Sequence, residues 1–287
     1  MAEKYLIVNA DDFGMCHSYN EAVFALLEEG KITSSTLMPV TPGRDEAAAW
    51  CLRKKVKCVG LHTTLTSEWP SLRWPSLTRL PSLEDEDGFL YRNCEAFWRH
   101  ARSEDVAREL DAQFEWFAST GVFFSHADNH MGSVYPLGGP GAPDYLPLAL
   151  ERCHRYGLGF RMCRGGFWSD GGFMPLDFAR PDIALAARLG VPLVDTLYSF
   201  PFTSAPGSTY EDLRRDVCAL LHRMPEGVNE IYFHPSVDSE EVRRIVPSWQ
   251  RRVWDFRLLM DDEFHYAARD AGLTLVSYRQ MQALRGA

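Results

Sequence analysis

Short apolar runs alternate with longer stretches of helical period along this 287-residue chain. Tyr5-Leu6-Ile7-Val8, bounded by polar residues, predicts a buried strand. Ser18 with Glu21 three positions on forms a capping-box pattern, and the run Ala22–Leu27 behind it predicts a helix that Gly30 ends. A strand over Ser34–Val40 follows, closed by Thr41-Pro42-Gly43, then a helix from Asp45 to Arg53 and a strand over Lys57–His62. Later strands are expected at Val122–Ser125, Gly159–Met162, Pro192–Asp195, Glu230–Phe233 and Thr274–Ser277. Helices are expected between them at about 104–118, 144–156, 181–189, 209–222 and 248–271, the last reading as an outer barrel helix. Eight candidate strands, nearly all followed by a helix, argue for a parallel sheet. At this length the expected fold is a single-domain, TIM-like (β/α) barrel, with a doubly wound open sheet as the alternative. No GxGxxG or Walker-type loop occurs, so a nucleotide-cradling turn has no support.

Two segments break the rhythm. Residues 66–98 hold Trp69-Pro70, Trp74-Pro75, Pro81 and the acidic run Glu84–Asp87 without a clear period. Residues 164–178 form a glycine and aromatic loop. Long irregular loops in a compact domain usually serve function, and the aromatics here suggest an ordered lid or pocket wall. A subunit contact, and with it a homodimer, or simple surface packing is the alternative.

Composition narrows the class. Hydrophobic residues make up 46% of the chain, enough for a sizeable core, and no run approaches the ~20 apolar residues of a membrane span. The strand begins too near the first residue to leave room for a signal peptide. Seven cysteines without CxxC spacing predict reduced thiols, and hence a cytoplasmic protein. A net charge of −9 without a Lys/Arg stripe argues against nucleic acid or an anionic membrane as partner.

Function in parallel α/β folds gathers at the carboxyl ends of the strands. There stand Asp11 and Asp12, His62, the run Ser125-His126-Ala127-Asp128-Asn129-His130, Arg161, and His234-Pro235. Adjacent side chains on an extended backbone point different ways, so one aspartate of the pair can bind a metal while the other stays free for proton transfer. Carboxylate with imidazole suits a divalent ion such as Zn²⁺, Co²⁺, Ni²⁺ or Mn²⁺, and Mg²⁺ less comfortably. One Asp and two His leave positions open for water and a substrate oxygen. A nearby carboxylate as base and a separate histidine as acid complete a set for amide or ester hydrolysis. Two His and one carboxylate also make the facial triad of an iron oxygenase, and a non-catalytic sugar-binding or regulatory protein on such a scaffold is a third reading. Trp69, Trp74, Phe167, Trp168, Phe200 and Phe202 are candidates for a sugar platform, or equally for core.

Val8-Asn9-Ala10-Asp11-Asp12-Phe13-Gly14, Gly60-Leu61-His62-Thr63-Thr64-Leu65, His126-x-Asp128-x-His130 and Phe233-His234-Pro235 occur in that order. Together they resemble the YdjC/ChbG family of carbohydrate deacetylases. The resemblance implies an irregular (β/α) barrel and metal-dependent removal of an N-acetyl group from an amino sugar or oligosaccharide. It also implies Asp12, His62 and His130 as ligands of one divalent ion (Mg²⁺ or Zn²⁺, or another of those above), Asp11 as base and His234 as acid. Asp128 and Arg161 would steady the site, with His126 and Trp168 as further substrate-side or supporting residues. The chain departs from the chitooligosaccharide enzymes at Met131-Gly132-Ser133-Val134-Tyr135, where those continue with a histidine-rich run, and in the 66–98 segment.

Overall fold

The computed structural model describes residues 3–138, 141–169, 172–174 and 180–284. Its strands are β1 (Lys4–Phe13), β2 (Ser34–Leu37), β3 (Val59–Thr63), β4 (His126–Asn129), β5 (Gly159–Ser169), β6 (Gly172–Met174), β7 (Leu193–Tyr198), β8 (Gly227–Phe233) and β9 (Leu273–Leu275). Seven of them run parallel in the order β2-β3-β4-β5-β7-β8-β1, and β1 pairs back onto β2. The sheet is therefore a closed barrel, which removes the open-sheet alternative. The upper part of β1 pairs with β2 from Asn9 to Phe13, while its lower part, Lys4–Leu6, pairs with the short β9. The strand expected at Thr274–Ser277 is thus a patch beside β1 rather than an eighth stave.

The helices are α1 (His17–Glu28), α2 (Arg44–Lys54), α3 (Cys94–His100), α4 (Ser103–Ser119), α5 (Leu146–Tyr156), α6 (Arg180–Leu189), α7 (Tyr210–Leu221), α8 (Glu240–Ile245), α9 (Trp249–Met260), α10 (Asp262–Asp270) and α11 (Tyr278–Leu284). Alternation along β1 sends Leu6, Val8 and Ala10 outward to the large core under the helices, and Ile7, Asn9 and Asp11 inward. Ile7, Cys163, Val194, Val228 and Val276 form a separate cluster with Tyr278 and Met281 of α11. It closes the barrel at the amino ends of the strands. Full burial of each large apolar side chain contributes about 1.5–3 kcal/mol, so the lower barrel is held by ordinary hydrophobic packing.

Four further expectations are corrected. Val122–Ser125 is not a strand; the strand is the next four residues, because Phe124 is drawn into an aromatic cluster with Phe117 and Tyr156 under the helices (centroids 4.3 and 5.7 Å). The helix expected over 248–271 breaks at Asp261, whose ψ of 128° is extended and whose side chain caps α10 through the Glu263 amide. The capping box does not form: Cys16 precedes α1 without a side-chain cap, and Ser18 Oγ instead contacts Glu241, 2.5 Å away. The glycine-aromatic loop is largely regular structure, since β5 runs on to Ser169 and β6 returns antiparallel against it; residues 170–171 and 175–179 of that segment lie outside the described residues. No helix among the described residues is long and apolar enough to cross a membrane. All seven cysteines are free.

Candidate active site

The inward positions turn from apolar to polar toward the carboxyl ends of the strands. Asn9 and Asp11 on β1, Ser34 and Thr36 on β2, His62 on β3, His126 and Asp128 on β4, Arg161 on β5 and Glu230 on β8 are all buried. Arg161 crosses the barrel: its Nη1 and Nη2 donate to the two oxygens of Asp11 (2.7 Å each), and its Nε to Glu230 Oε1 (2.8 Å). Nη1 also lies 2.9 Å from Asp128 Oδ2, and the guanidinium covers the Tyr232 ring at 4.7 Å. Asn9 Nδ2 donates to Asp11 Oδ1 (2.7 Å). Burial opposes the charge on Asp11, but the Arg161 guanidinium outweighs it and holds the carboxyl below its ordinary range.

Asp12 reaches the axis by a different route. Alternation alone would point it away from the interior, but its φ of 61° kinks the chain at the mouth of the barrel. Aspartate tolerates this left-handed conformation better than most residues, and the β1–β2 register slips between Ala10 and Phe13 at the same place. There Asp12 Oδ1, His62 Nε2 and His130 Nδ1 meet: carboxylate to imidazole distances are 3.4 and 3.2 Å, and the two nitrogens are 3.3 Å apart.

The outer nitrogens of both rings are committed. His62 Nδ1 faces Asp128 Oδ1 (2.6 Å), and His130 Nε2 faces Glu68 Oε2 (3.0 Å). Assigning the ring protons to those bonds leaves two lone pairs aimed at Asp12 Oδ1, a buried oxygen without a hydrogen-bond partner. Three acceptors in mutual contact need a cation between them. Edges of 3.2–3.4 Å suit donors each about 2.0–2.2 Å from one ion, so the residues fit a divalent metal. The outer carboxylates are the orienting partners such ligands ordinarily have. Without an ion, protons take its place. Burial disfavours charge on His62, yet Asp128 and Asp12 prevail and lift its pKa to about 9; Glu68 and Asp12 likewise raise His130 well above the usual value.

His234 follows β8, with Nε2 4.0 Å from Asp11 Oδ2 and its ring against Phe202 and Tyr232. Burial, reinforced by the Arg252 charge, pushes its pKa down to about 4. Asp11, Asp12, His62, His130, Arg161 and His234 all border one cleft of about 820 Å³. Its walls come from the turn after His130, from β5 and β6, from Ser199–Thr203 after β7, and from Glu68 and Trp69 in the irregular 66–98 segment.

Three expected residues lie elsewhere. His126 sits deeper in the barrel, stacked on Tyr278 (3.7 Å) with Ser34 and Ser125 on its nitrogens. Trp168 faces away from the cleft, stacked with Tyr198 and under Arg223, because alternation along β5 gives the cleft to Phe167 and Ser169. Trp74 is core, donating from Nε1 to the Thr66 carbonyl oxygen and resting its ring 6.2 Å from His130. Other participants escaped the sequence reading. Asn9, Thr36 and Glu230 carried a period-two polar signal on strands; Glu68, in a segment without period, carried none. Arg252 reaches the cleft from α9, a helix read as merely external.

Fold and site together define a class: parallel (β/α) barrels with an aspartate–histidine cluster, able to hold a metal, at the carboxyl ends of the strands. The profile of the family described as YdjC-like protein matches residues 5–270, and the chain belongs to that family. It is 31% identical to a carbohydrate deacetylase of Thermus thermophilus over 271 residues, 91% of this chain and 88% of the relative. It is 30% identical to a carbohydrate deacetylase of Geobacillus stearothermophilus over 282 residues, 98% and 99% of the two chains. A chitooligosaccharide deacetylase of Yersinia pestis shares 32% over 193 residues, covering 62% of this chain and 73% of that one. Among solved structures, a protein of Enterococcus faecalis, provisionally described as a cellobiose-phosphate cleavage protein, superimposes with a TM-score of 0.77 at 23% identity over 98% of this chain and 99% of its own. That likeness shows the shared fold.

Proposed function

We propose that this protein is a metal-dependent hydrolase that removes the N-acetyl group from an amino-sugar or oligosaccharide substrate. The observation that carries the reading is the convergence of Asp12 Oδ1, His62 Nε2 and His130 Nδ1 on one cation-sized point, with Asp11 and His234 beside it. The names of the relatives supply the substrate chemistry. A divalent ion held by those three side chains would supply Lewis acidity toward the acetyl carbonyl and a lowered pKa for water. Two imidazole nitrogens and one carboxylate suit Zn²⁺, Co²⁺, Ni²⁺ or Mn²⁺ better than Mg²⁺.

Hydrolysis joins a water oxygen to the acetyl carbon and breaks the C–N bond, leaving acetate and a free amine. The proton lost by the water must end on that amine. Asp11, ionised and clamped by Arg161, is placed to take it. His234 is neutral in the free protein at neutral pH, so it must gain its proton within the cycle. Asp11 Oδ2, 4.0 Å away, can pass it through one bridging water. Asp11 then acts as base, and His234 delivers the proton to the departing amine. The binding-only and iron-oxygenase alternatives give this pair no task.

The direct test incubates metal-loaded protein with a panel of N-acetylated sugars and follows acetate and free amine together. Equal release of the two supports the reading; release of neither from any member sinks it.

A further inference from the structure

We infer that the acetylated sugar carries a long apolar aglycone, making the substrate a glycolipid-like amphiphile rather than a free oligosaccharide; for its polar half this rests on the hydrolytic reading above. A cleft of about 820 Å³ lies in the upper part of the roughly 300–1,000 Å³ range of small-molecule sites. Its charged groups are concentrated on the floor. The rest of the lining is largely apolar, with Trp69, Phe167, Leu197 and Phe200 among its residues and Ser169, Ser199, Thr203 and Ser248 between them. The rim is the unusual part. Of nine exposed large hydrophobic side chains among the described residues, four border this cleft: Met131 (52% exposed), Leu137 (51%), Phe202 (46%) and Met174 (40%). They come from three separate segments: the turn after β4, the β5–β6 hairpin and the loop after β7.

Single exposed hydrophobic residues are ordinary, whereas apolar groups gathered about one opening mark a binding surface. An oligosaccharide entering here would surrender hydroxyl hydration to a wall with few groups to replace it, which is unfavourable. A hydrocarbon chain gains from the same transfer. Met131 and Met174 are unbranched and can follow an irregular chain. Met131 is exposed and stands on a left-handed backbone (φ 57°), a conformation methionine seldom adopts. Apolar wall and polar floor are continuous, so one molecule with a sugar at one end and a hydrocarbon at the other occupies both.

The test uses metal-loaded full-length protein and N-acetylglucosaminides with methyl, butyl and octyl aglycones, all below micelle-forming concentration. Acetate release is one readout. Calorimetric binding of methyl and octyl glucosides, which lack the acetamide, is the other. Each buried methylene contributes roughly threefold to fourfold, so kcat/KM and affinity should both rise at least about tenfold from methyl to octyl. Met131→Ser combined with Leu137→Ser should drive the octyl-to-methyl ratio toward one in both readouts. Equal values across the series, or a ratio untouched by the double variant, overturn the amphiphile assignment. Binding that grows with chain length, without acetate from any glycoside, keeps the apolar site and overturns the deacetylase reading; acetate release indifferent to chain length does the reverse.

Discussion

The two halves of the barrel interior are built from the same strands with the same alternation, yet they behave as different solvents. Toward the amino ends, Ile7, Val194, Val228 and Met281 pack as an apolar plug. Toward the carboxyl ends, equivalent inward positions carry Asp11, His62, Asp128, Arg161 and Glu230, fully buried or nearly so. Two histidines of one segment, His126 on β4 and His130 just after it, separate the regimes with the inward Asp128 between them. His126, stacked on Tyr278, is kept neutral by burial and by the Arg161 charge, its pKa well below the usual value. His130 is equally buried, but Glu68 and Asp12 hold its pKa well above the usual value. Depth alone does not set the chemistry of an imidazole; the carboxylates around it do. A charge survives burial where it is paired and hydrogen-bonded, and the upper barrel is a network of such pairs around one unpaired oxygen, Asp12 Oδ1.

The contrast can be broken most severely at that oxygen. Asp12→Ala should abolish metal binding and with it the activity, measured as metal per chain and acetate released. Thermal stability of the metal-free protein should fall but the fold should persist, because protonated His62 and His130 lose one counter-charge and keep Asp128 and Glu68. Loss of the fold instead of the metal would show that Asp12 is structural. The next largest effect belongs to the proton-transfer pair. Asp11→Asn and His234→Asn should each lower kcat by about 10²–10⁴ while metal content stays intact. Weaker still, Asp128→Asn loosens the ring orientation of His62 and should reduce metal affinity about 10–100-fold; an unchanged affinity would remove Asp128 from the supporting role.

The lower barrel should answer in the opposite currency. Ile7→Ala is expected to cost about 2–5 kcal/mol of stability with metal stoichiometry unaltered, read by denaturant unfolding and metal analysis. The smallest effect is one of pH. The folded pKa of His62, about 9, stands above its ordinary 6.5, so the metal-free protein draws stability from protonated His62 below pH 6.5. That contribution fades as pH rises through 9. A bound ion must displace the same proton, so metal affinity should climb across this window. A flat affinity between pH 6.5 and 9 would show that His62 is not a ligand.

Much of this was legible in the letters. Alternation of short apolar runs with helical stretches is a local property, and it located most of the barrel strands and the rim that carries Asp11, Asp12, His62, His130, Arg161 and His234. Local pattern failed where a neighbour distant in sequence decided the outcome. Val122–Ser125 looks more like a strand than His126–Asn129 does, but the aromatic cluster under the helices claims Phe124. Trp168 looks like a sugar platform until the register of β5 turns it outward and Phe167 inward. Glu68 gave no signal, because its partner His130 is 62 residues away.

The sequence by itself determined the order of elements and the supply of ligand-type side chains at strand ends, since both depend on residue identity and short-range periodicity. The tertiary structure alone decided which of those side chains share a point in space. Closure of β1 onto β2, the left-handed backbone at Asp12 and the Arg161 bridge are each set by contacts between strands far apart in the chain. Ligand geometry, pKa direction and the apolar mouth of the cleft follow from distances between such segments, and no local pattern encodes a distance.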